Sequence, residues 1–385
     1  MVIGVIGLGT VGYGVVDILT KERKRLEDYM QEDVIVKYGC ALEDVDLPAG
    51  VIHTKNYKDV IADDEVDVVV ELIGGLTIAK RIILEAIEAK KHVVTANKAL
   101  IAHYGKEILL KANENNVHVF YEAAVGGGIP VLTPQFEMLR GNNISEINGI
   151  LNGTTNFILS LMETDNLDFD QAMTIADSLG FLEADPSLDI DGIDTAHKIT
   201  ILANNSFDGF VDFDKIKPIG IRKVSKKDMD FAKKLGYRIK LLATCKKDQD
   251  NYYIDICPTL INLNNMMANV MQAYNVVEIS GDYVDNVLFY GKGAGRYVTA
   301  SAVVGDILKT KQNTKWQYRN KDIINIKPIT ESRYFVRSDH DLDLDYEYYY
   351  SEKNEHIYIT RTIEYDALID AIGDAENYSI YKVRD

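Results

Sequence analysis

The sequence predicts an α/β chain in three parts: a doubly wound parallel sheet, then a mixed α/β region, then a small α+β appendage. Three observations predict it. Residues 2–6, VIGVI, read as a short buried strand that runs at once into Gly7-Leu8-Gly9-Thr10-Val11-Gly12, followed by a helical pattern to about residue 28. Strand-like and helix-like stretches then alternate as far as Tyr121. The last 75 residues or so become rich in tyrosine and acidic side chains, as in HDLDLDYEYYYSEKNEHIYITRT.

The order strand, G-x-G-x-x-G, helix is the context that a dinucleotide-binding turn requires. The first glycine allows a tight turn, and Gly9 lets backbone approach a pyrophosphate. Gly12 lets helix and strand pack closely, and the helix N-terminus opened by Thr10 and Val11 attracts phosphate charge. These residues are therefore candidate cofactor contacts. Further strands are expected at 34–38, 66–70, 92–95 and 117–121, with helices at 78–89 and 99–115 between them. Repeated units of this length imply a Rossmann-type domain over residues 1–125.

From Gly126 the pattern changes. GGGIPVLTP is a turn-rich loop leading into a helix, INGILNGTTNFILSLM reads as apolar strand and loop, and a helix is expected near 168–180. Residues 252–257 and 276–279 suit strands of a second, mixed sheet. GKGAGRYVTASAVVGDIL, beginning at residue 291, is a glycine-rich turn running into a helix. This region, 126–310, is expected to hold substrate and to dimerise, with 290–310 returning to the first domain. In residues 311–385, RYFVRS, HIYITRT and YSIYKVRD read as strands, with a helix at 365–373.

Composition narrows the function. The chain has 385 residues, ordinary hydrophobic content (46%) and a formal net charge of -17, with no Lys/Arg block to track phosphates, which argues against nucleic acid. Its apolar start lacks a basic leader and is interrupted by Asp17, which argues against a signal peptide or membrane span. The three cysteines, Cys40, Cys245 and Cys257, are far apart and form no C-x-x-C pair, so a reducing cytoplasm is expected. The sequon at Asn152 would matter only in a secreted protein.

Residues 183–198, EADPSLDIDGIDTAHK, crowd Glu183, Asp185, Asp189, Asp191 and Asp194 ahead of Lys198. As an EF-hand loop the run would begin at Ser187, but its twelfth position, which needs a bidentate acid, is Lys198. As a plain acidic turn it is marked by Pro186 and Gly192. From Ile193 the pattern is helical and sets Asp194 beside Lys198 at i,i+4, the spacing of an ordinary surface ion pair. As a site, it would offer an ammonium able to protonate a nascent alkoxide after hydride transfer from a nicotinamide, with carboxylates for a substrate's own ammonium group.

Several long motifs in order resemble homoserine dehydrogenases over about residues 1–310: GLGTVGYGVV, ELIGG at 71–75, TANKALIA at 95–102, YEAAVGGGIPV at 121–131, GILNGTTNFIL at 149–159, the acidic run itself, and GAGRYVTASAVVGDI at 293–307. The resemblance implies NAD- or NADP-dependent interconversion of L-homoserine and L-aspartate 4-semialdehyde, in threonine and methionine biosynthesis, by a homodimer or homotetramer. It implies catalytic roles for Lys198 and Lys98, with Lys198 favoured as proton donor and Lys98 beside cofactor and substrate. It assigns substrate contacts to Glu183, Asp189 and Asp194, and cofactor contacts to Gly74, Gly180 and Gly295. It also implies a sodium or potassium site at Glu122, through a side-chain oxygen, and at the carbonyls of Val125, Gly127 and Ile129; oxygen suits hard cations, and glycines turn carbonyls inward without steric cost.

Two departures stand out. After the second strand comes YGCALEDVD, with no arginine for a ribose 2′-phosphate, a pattern that leans by charge toward NAD. Residues 311–385 resemble a truncated ACT domain, which puts threonine feedback in doubt and suggests a strand-rich remnant that pairs with its copy in another subunit. The alternatives are a catalytically silent amino-acid sensor, and a dehydrogenase of another short amino-acid aldehyde.

Overall fold

The computed structural model describes residues 1–182, 185–312, 316, 322–352, 354–373 and 377–385. Two compact units form, each from three stretches of chain. One holds Met1–Asn143, Thr200–Phe213 and Gly291–Ile324; the other holds Ile144–Ile199, Asp214–Tyr290 and Asn325–Asp385.

In the first unit six parallel strands, β1 (Val2–Ile6), β2 (Ile35–Cys40), β3 (Ile52–Thr54), β4 (Val68–Glu71), β5 (His92–Thr95) and β6 (Val119–Phe120), pair in the order β3-β2-β1-β4-β5-β6. This is the predicted doubly wound sheet. Strand β4 is buried at every residue, as expected where helices cover both faces of a parallel sheet, and so its sequence is apolar up to its last residue, Glu71. Helix Thr77–Glu88 buries Ala79, Ile82, Ile83, Ala86 and Ile87, one stripe at helical spacing. The short β3 is unpredicted, since three residues carry too little periodicity. The first expected helix is two, Thr10–Lys21 and Arg23–Met30.

Strand order reverses between β1 and β4, so the crevice for a ligand lies off the carboxyl ends of these two strands. Helix Arg296–Lys309 packs on helix Thr10–Lys21, and Gly14 permits the approach: a Cβ there would sit 3.1 Å from Ala300 Cβ. Trp316 stacks on Phe136, with ring centroids 4.6 Å apart, and meets Phe120 and Tyr121 edge-on.

The second unit is built on one sheet in the spatial order Asp285–Lys292, Tyr274–Gly281, Ile144–Ile150, Tyr237–Asp248, Asn251–Asn262, Tyr378–Arg384, Tyr334–Ser338, Glu355–Thr360, Tyr346–Glu352. Strand Asn251–Asn262 pairs antiparallel with Tyr237–Asp248 and parallel with Tyr378–Arg384, so the C-terminal strands extend the same sheet. Taken in chain order, those four C-terminal strands lie 4-1-3-2 with antiparallel neighbours, the arrangement of a split β-α-β-β-α-β unit. Helix Tyr365–Ile372 is its second helix, while residues 339–345 form a loop where the first would stand. Strand Tyr346–Glu352, exposed throughout, lacks the alternation that betrays a strand.

One expectation is corrected. The segment read as strand and loop is strand Ile144–Ile150 followed by helix Gly153–Thr164. Gly153 and two β-branched threonines obscure the helix start, which is fixed by Asn152: its side chain accepts the Thr155 N–H at 2.8 Å. Among the described residues no helix is long and apolar enough to cross a membrane.

Candidate active site

The nucleotide turn of the first unit uses its three glycines differently. Gly7 has φ 99°, and a Cβ there would lie 2.6 Å from the Leu72 backbone. A Cβ on Gly12 would overlap the Gly7 carbonyl, whereas one on Gly9 would meet nothing within 4 Å among the described residues. The turn is thus closed against substitution at its first and third glycines and open at its second. Gly9 is the N-cap of helix Thr10–Lys21 and among the described residues no side chain caps that terminus, so its N–H groups suit a phosphate.

Neighbouring strand ends build the rest of this surface. Glu71, fully buried, accepts the Ile73 N–H at 2.9 Å and the Thr95 hydroxyl at 2.7 Å, and burial pushes its carboxyl up. It thereby pins the turn in which Gly74 adopts φ 74°. Asn97 donates to the Gly75 carbonyl at 2.7 Å while its Oδ1 caps helix Lys98–Asn115, which makes Lys98 the first residue of that helix, off the end of β5. Gly295, with φ 133°, opens helix Arg296–Lys309. Past β2 the acidic Asp44 pairs with Lys55 at 2.9 Å.

The loop from Glu122 to Ile129 is buried except at Gly128. Here the expected side-chain ligand is corrected. Glu122 Oε1 accepts the N–H groups of Val131 and Leu132 at 2.7 and 2.8 Å, and Oε2 accepts both the N–H and the hydroxyl of Thr133. Four donors fill the carboxylate's lone pairs, so this side chain caps helix Leu132–Glu137 instead of reaching for a cation. The backbone fits the expectation better. The buried carbonyls of Val125, Gly127 and Ile129 accept no hydrogen bond among the described residues, and buried carbonyls normally find a partner. Gly127, at φ 58°, is needed because a Cβ would overlap the Gly293 carbonyl. Among the described residues no His, Cys, Asp or Glu cluster could hold a metal ion, so any cation here would rest on these carbonyls.

In the second unit the acidic run is sorted by its partners. Asp185 accepts the Ser187 N–H in an exposed turn, and Asp191 forms a two-point pair with Arg222. Asp189 and Asp194 turn elsewhere: both accept from Asn152 Nδ2, at 2.7 and 2.8 Å. Asp194 Oδ2 also accepts from Lys198 Nζ at 2.7 Å, and the same ammonium donates to the Leu151 carbonyl at 2.7 Å. Lys198 is 8% exposed and Asp194 3%. Glu183 lies outside the described residues. Gly180, in this unit, has φ 76° past the end of helix Phe169–Ser178.

The sequence alternative of a surface ion pair fails on burial. A buried pair is weak as a stabilising device, because desolvation offsets its Coulomb gain. What it does provide is a fixed charge. The Lys198 ammonium is held by a carboxylate and a carbonyl and is shielded from bulk water, an arrangement able to deliver and recover a proton at a defined point. Sequence reading missed Asn152, the Leu151 carbonyl and Asn275, whose Nδ2 donates to that carbonyl at 2.8 Å. Only Asn152 left a signal, an N-cap residue ahead of a helix, hidden within an apparent sequon.

Comparison with known proteins agrees with this layout. Residues 7–122 match the model of the homoserine dehydrogenase NAD-binding domain, and residues 130–308 match the homoserine dehydrogenase model. A homoserine dehydrogenase of Synechocystis is 46% identical over 80% of this chain and 72% of its own. The crystal structure of a homoserine dehydrogenase from Thiobacillus denitrificans superposes with a TM-score of 0.93 at 34% identity, covering 100% of this chain and 98% of its own. A hyperthermophilic archaeal homoserine dehydrogenase mutant in complex with NADPH gives 0.64 at 26% identity, covering 81% and 98%. The chain belongs to the homoserine dehydrogenase family, and it is an NAD(P)-dependent oxidoreductase acting on the CH–OH group of L-homoserine.

Proposed function

We propose that Lys198 carries the proton in the interconversion of L-homoserine and L-aspartate 4-semialdehyde. A bound nicotinamide supplies or takes the hydride. In the reducing direction Lys198 protonates the nascent alkoxide; in the oxidising direction its amine takes the hydroxyl proton. Asp194 fixes the ammonium, while Asp189 and Glu183 present carboxylates to the substrate's own ammonium. Lys98 begins its helix off the end of β5, next to the turn that holds Gly74, and acts beside the cofactor. The observation that carries the reading is the buried ammonium held by Asp194 and Leu151.

The test is Lys198→Ala, followed at 340 nm with homoserine and either cofactor. Turnover should fall by about 10²–10⁴-fold, the size of a lost general acid and its placement. A near-wild-type rate with unchanged cofactor affinity would refute the role.

We infer that the cofactor rests on the Gly7–Gly12 turn, Gly74 and Gly295 of the first unit. We infer a preference for NAD, since the segment after β2 offers Glu43 and Asp44 and no arginine. A larger kcat/KM with NADPH than with NADH would reverse it. The carbonyls of Val125, Gly127 and Ile129 suit sodium or potassium, which would rigidify the loop. The assembly is read as a homodimer or homotetramer, with the C-terminal strands as a truncated ACT-like module, and three buried free thiols suit the cytoplasm. Light scattering on the whole chain tests the first point. The silent-sensor alternative is disfavoured, because the relatives are enzymes and both lysines are present.

A further inference from the structure

We propose that Asn152 is a positioning residue for Lys198, which rests on the proton-transfer role proposed above. Asn152 is 4% exposed and uses every polar atom of its amide. Its Oδ1 accepts the Thr155 N–H at 2.8 Å, and its Nδ2 donates to Asp189 Oδ1 at 2.7 Å and to Asp194 Oδ2 at 2.8 Å. The orientation is chemically forced, because a flipped amide would set its oxygen against two carboxylates.

Two consequences follow for the ammonium. First, Asp194 Oδ2 is the atom that also accepts from Lys198, so Asn152 fixes the anchor of the charge as well as its own helix. Second, the preceding residue supplies the ammonium's other anchor, the Leu151 carbonyl, which Asn275 Nδ2 steadies at 2.8 Å. Residues 151 and 152 therefore set the carbonyl and the carboxylate that hold Lys198 from one rigid point, the start of helix Gly153–Thr164. The neutral donor also lets Asp189 and Asp194 converge without a second positive charge. A proton donor displaced by about an ångström loses on the order of 10²-fold in rate, so this bracket should govern turnover far more than stability.

The competing role is helix capping alone, and it is separable. Serine caps a helix about as well as asparagine but cannot bridge two carboxylates, and aspartate caps equally well while repelling them. Asn152→Ser should melt within a few degrees of wild type, bind NADPH with unchanged Kd, and lower kcat by about 10²-fold with a much smaller change in KM. Asn152→Asp should lose at least as much. In a Lys198→Ala background Asn152→Ser should change residual turnover less than threefold, since a residue acting through Lys198 has nothing left to position.

Wild-type kcat in folded Asn152→Ser overturns the proposal and leaves the Lys198 reading standing. An equal 10²-fold loss in both backgrounds also overturns it. Failure of both variants to fold assigns Asn152 to capping, again overturning it. Wild-type turnover by Lys198→Ala alone would instead sink the proton-transfer reading.

Discussion

Arg337 Nε donates to Asp228 Oδ1 across 2.6 Å, joining a C-terminal strand to helix Lys226–Lys234. Asp228 is fully buried and also accepts from Ser225 Oγ, Ser379 Oγ and Tyr381 OH, at 2.6, 3.1 and 2.9 Å. This knot ties two C-terminal strands to the body that carries Lys198. Removing one member of a buried ion pair strands the other. Arg337→Met should therefore cost about 3 kcal/mol in urea-induced unfolding of the second unit. An unchanged midpoint would show that the hydroxyl partners suffice.

The nucleotide turn predicts opposite outcomes for two neighbouring glycines. Gly12→Ala must push its methyl into the Gly7 carbonyl, so the turn distorts and thermal stability falls. Gly9→Ala meets no atom of the described residues within 4 Å. It should melt like wild type yet bind NADH at least tenfold more weakly, because the methyl stands where pyrophosphate approaches. Fluorescence titration decides; equal affinity would move the phosphate elsewhere.

Glu122→Gln tests the corrected role of that side chain. An amide cannot accept from all four donors, so the start of helix Leu132–Glu137 loses about 1–3 kcal/mol. The loss should be the same in sodium chloride and in choline chloride, because the side chain is a cap. A loss confined to sodium would restore it as a ligand.

Lys240 supplies a pH signature. It is 1% exposed, donates to Asn156 Oδ1 at 2.9 Å and to the Val270 carbonyl at 2.6 Å, and burial pulls its ammonium down to about 7. The unfolded chain keeps an ordinary lysine near 10.4. Between these values the unfolded state binds more protons, so this group makes stability rise with pH from about 7 to 10 and opposes folding fully below 7. Lys240→Met should flatten that part of the stability profile. An unaltered slope would mean the charge is tolerated where it lies.

Much of the first unit was legible because a parallel sheet buried on both faces writes itself as apolar runs between amphipathic helices, as in β4 and helix Thr77–Glu88. Helix Gly153–Thr164 was not, since glycine and paired threonines mask the period while Asn152 caps it from outside. Lys198 and Asp194 could be paired from spacing, but their burial could not. Burial depends on strands far away in sequence, such as the one bearing Asn275. The cap role of Glu122 was equally hidden, because its partners sit nine to eleven positions downstream, at a helix start reached across a loop with no regular spacing. Strand Tyr346–Glu352 escaped because exposure on both faces erases alternation.

The chain contains one tryptophan, and it is lodged among Phe120, Tyr121 and Phe136 in the nucleotide-binding unit. Indole emission therefore reports on that unit alone, with no engineered label. Paired with far-ultraviolet circular dichroism, which sees both units, it offers a direct optical comparison of whether the two melt together or in sequence.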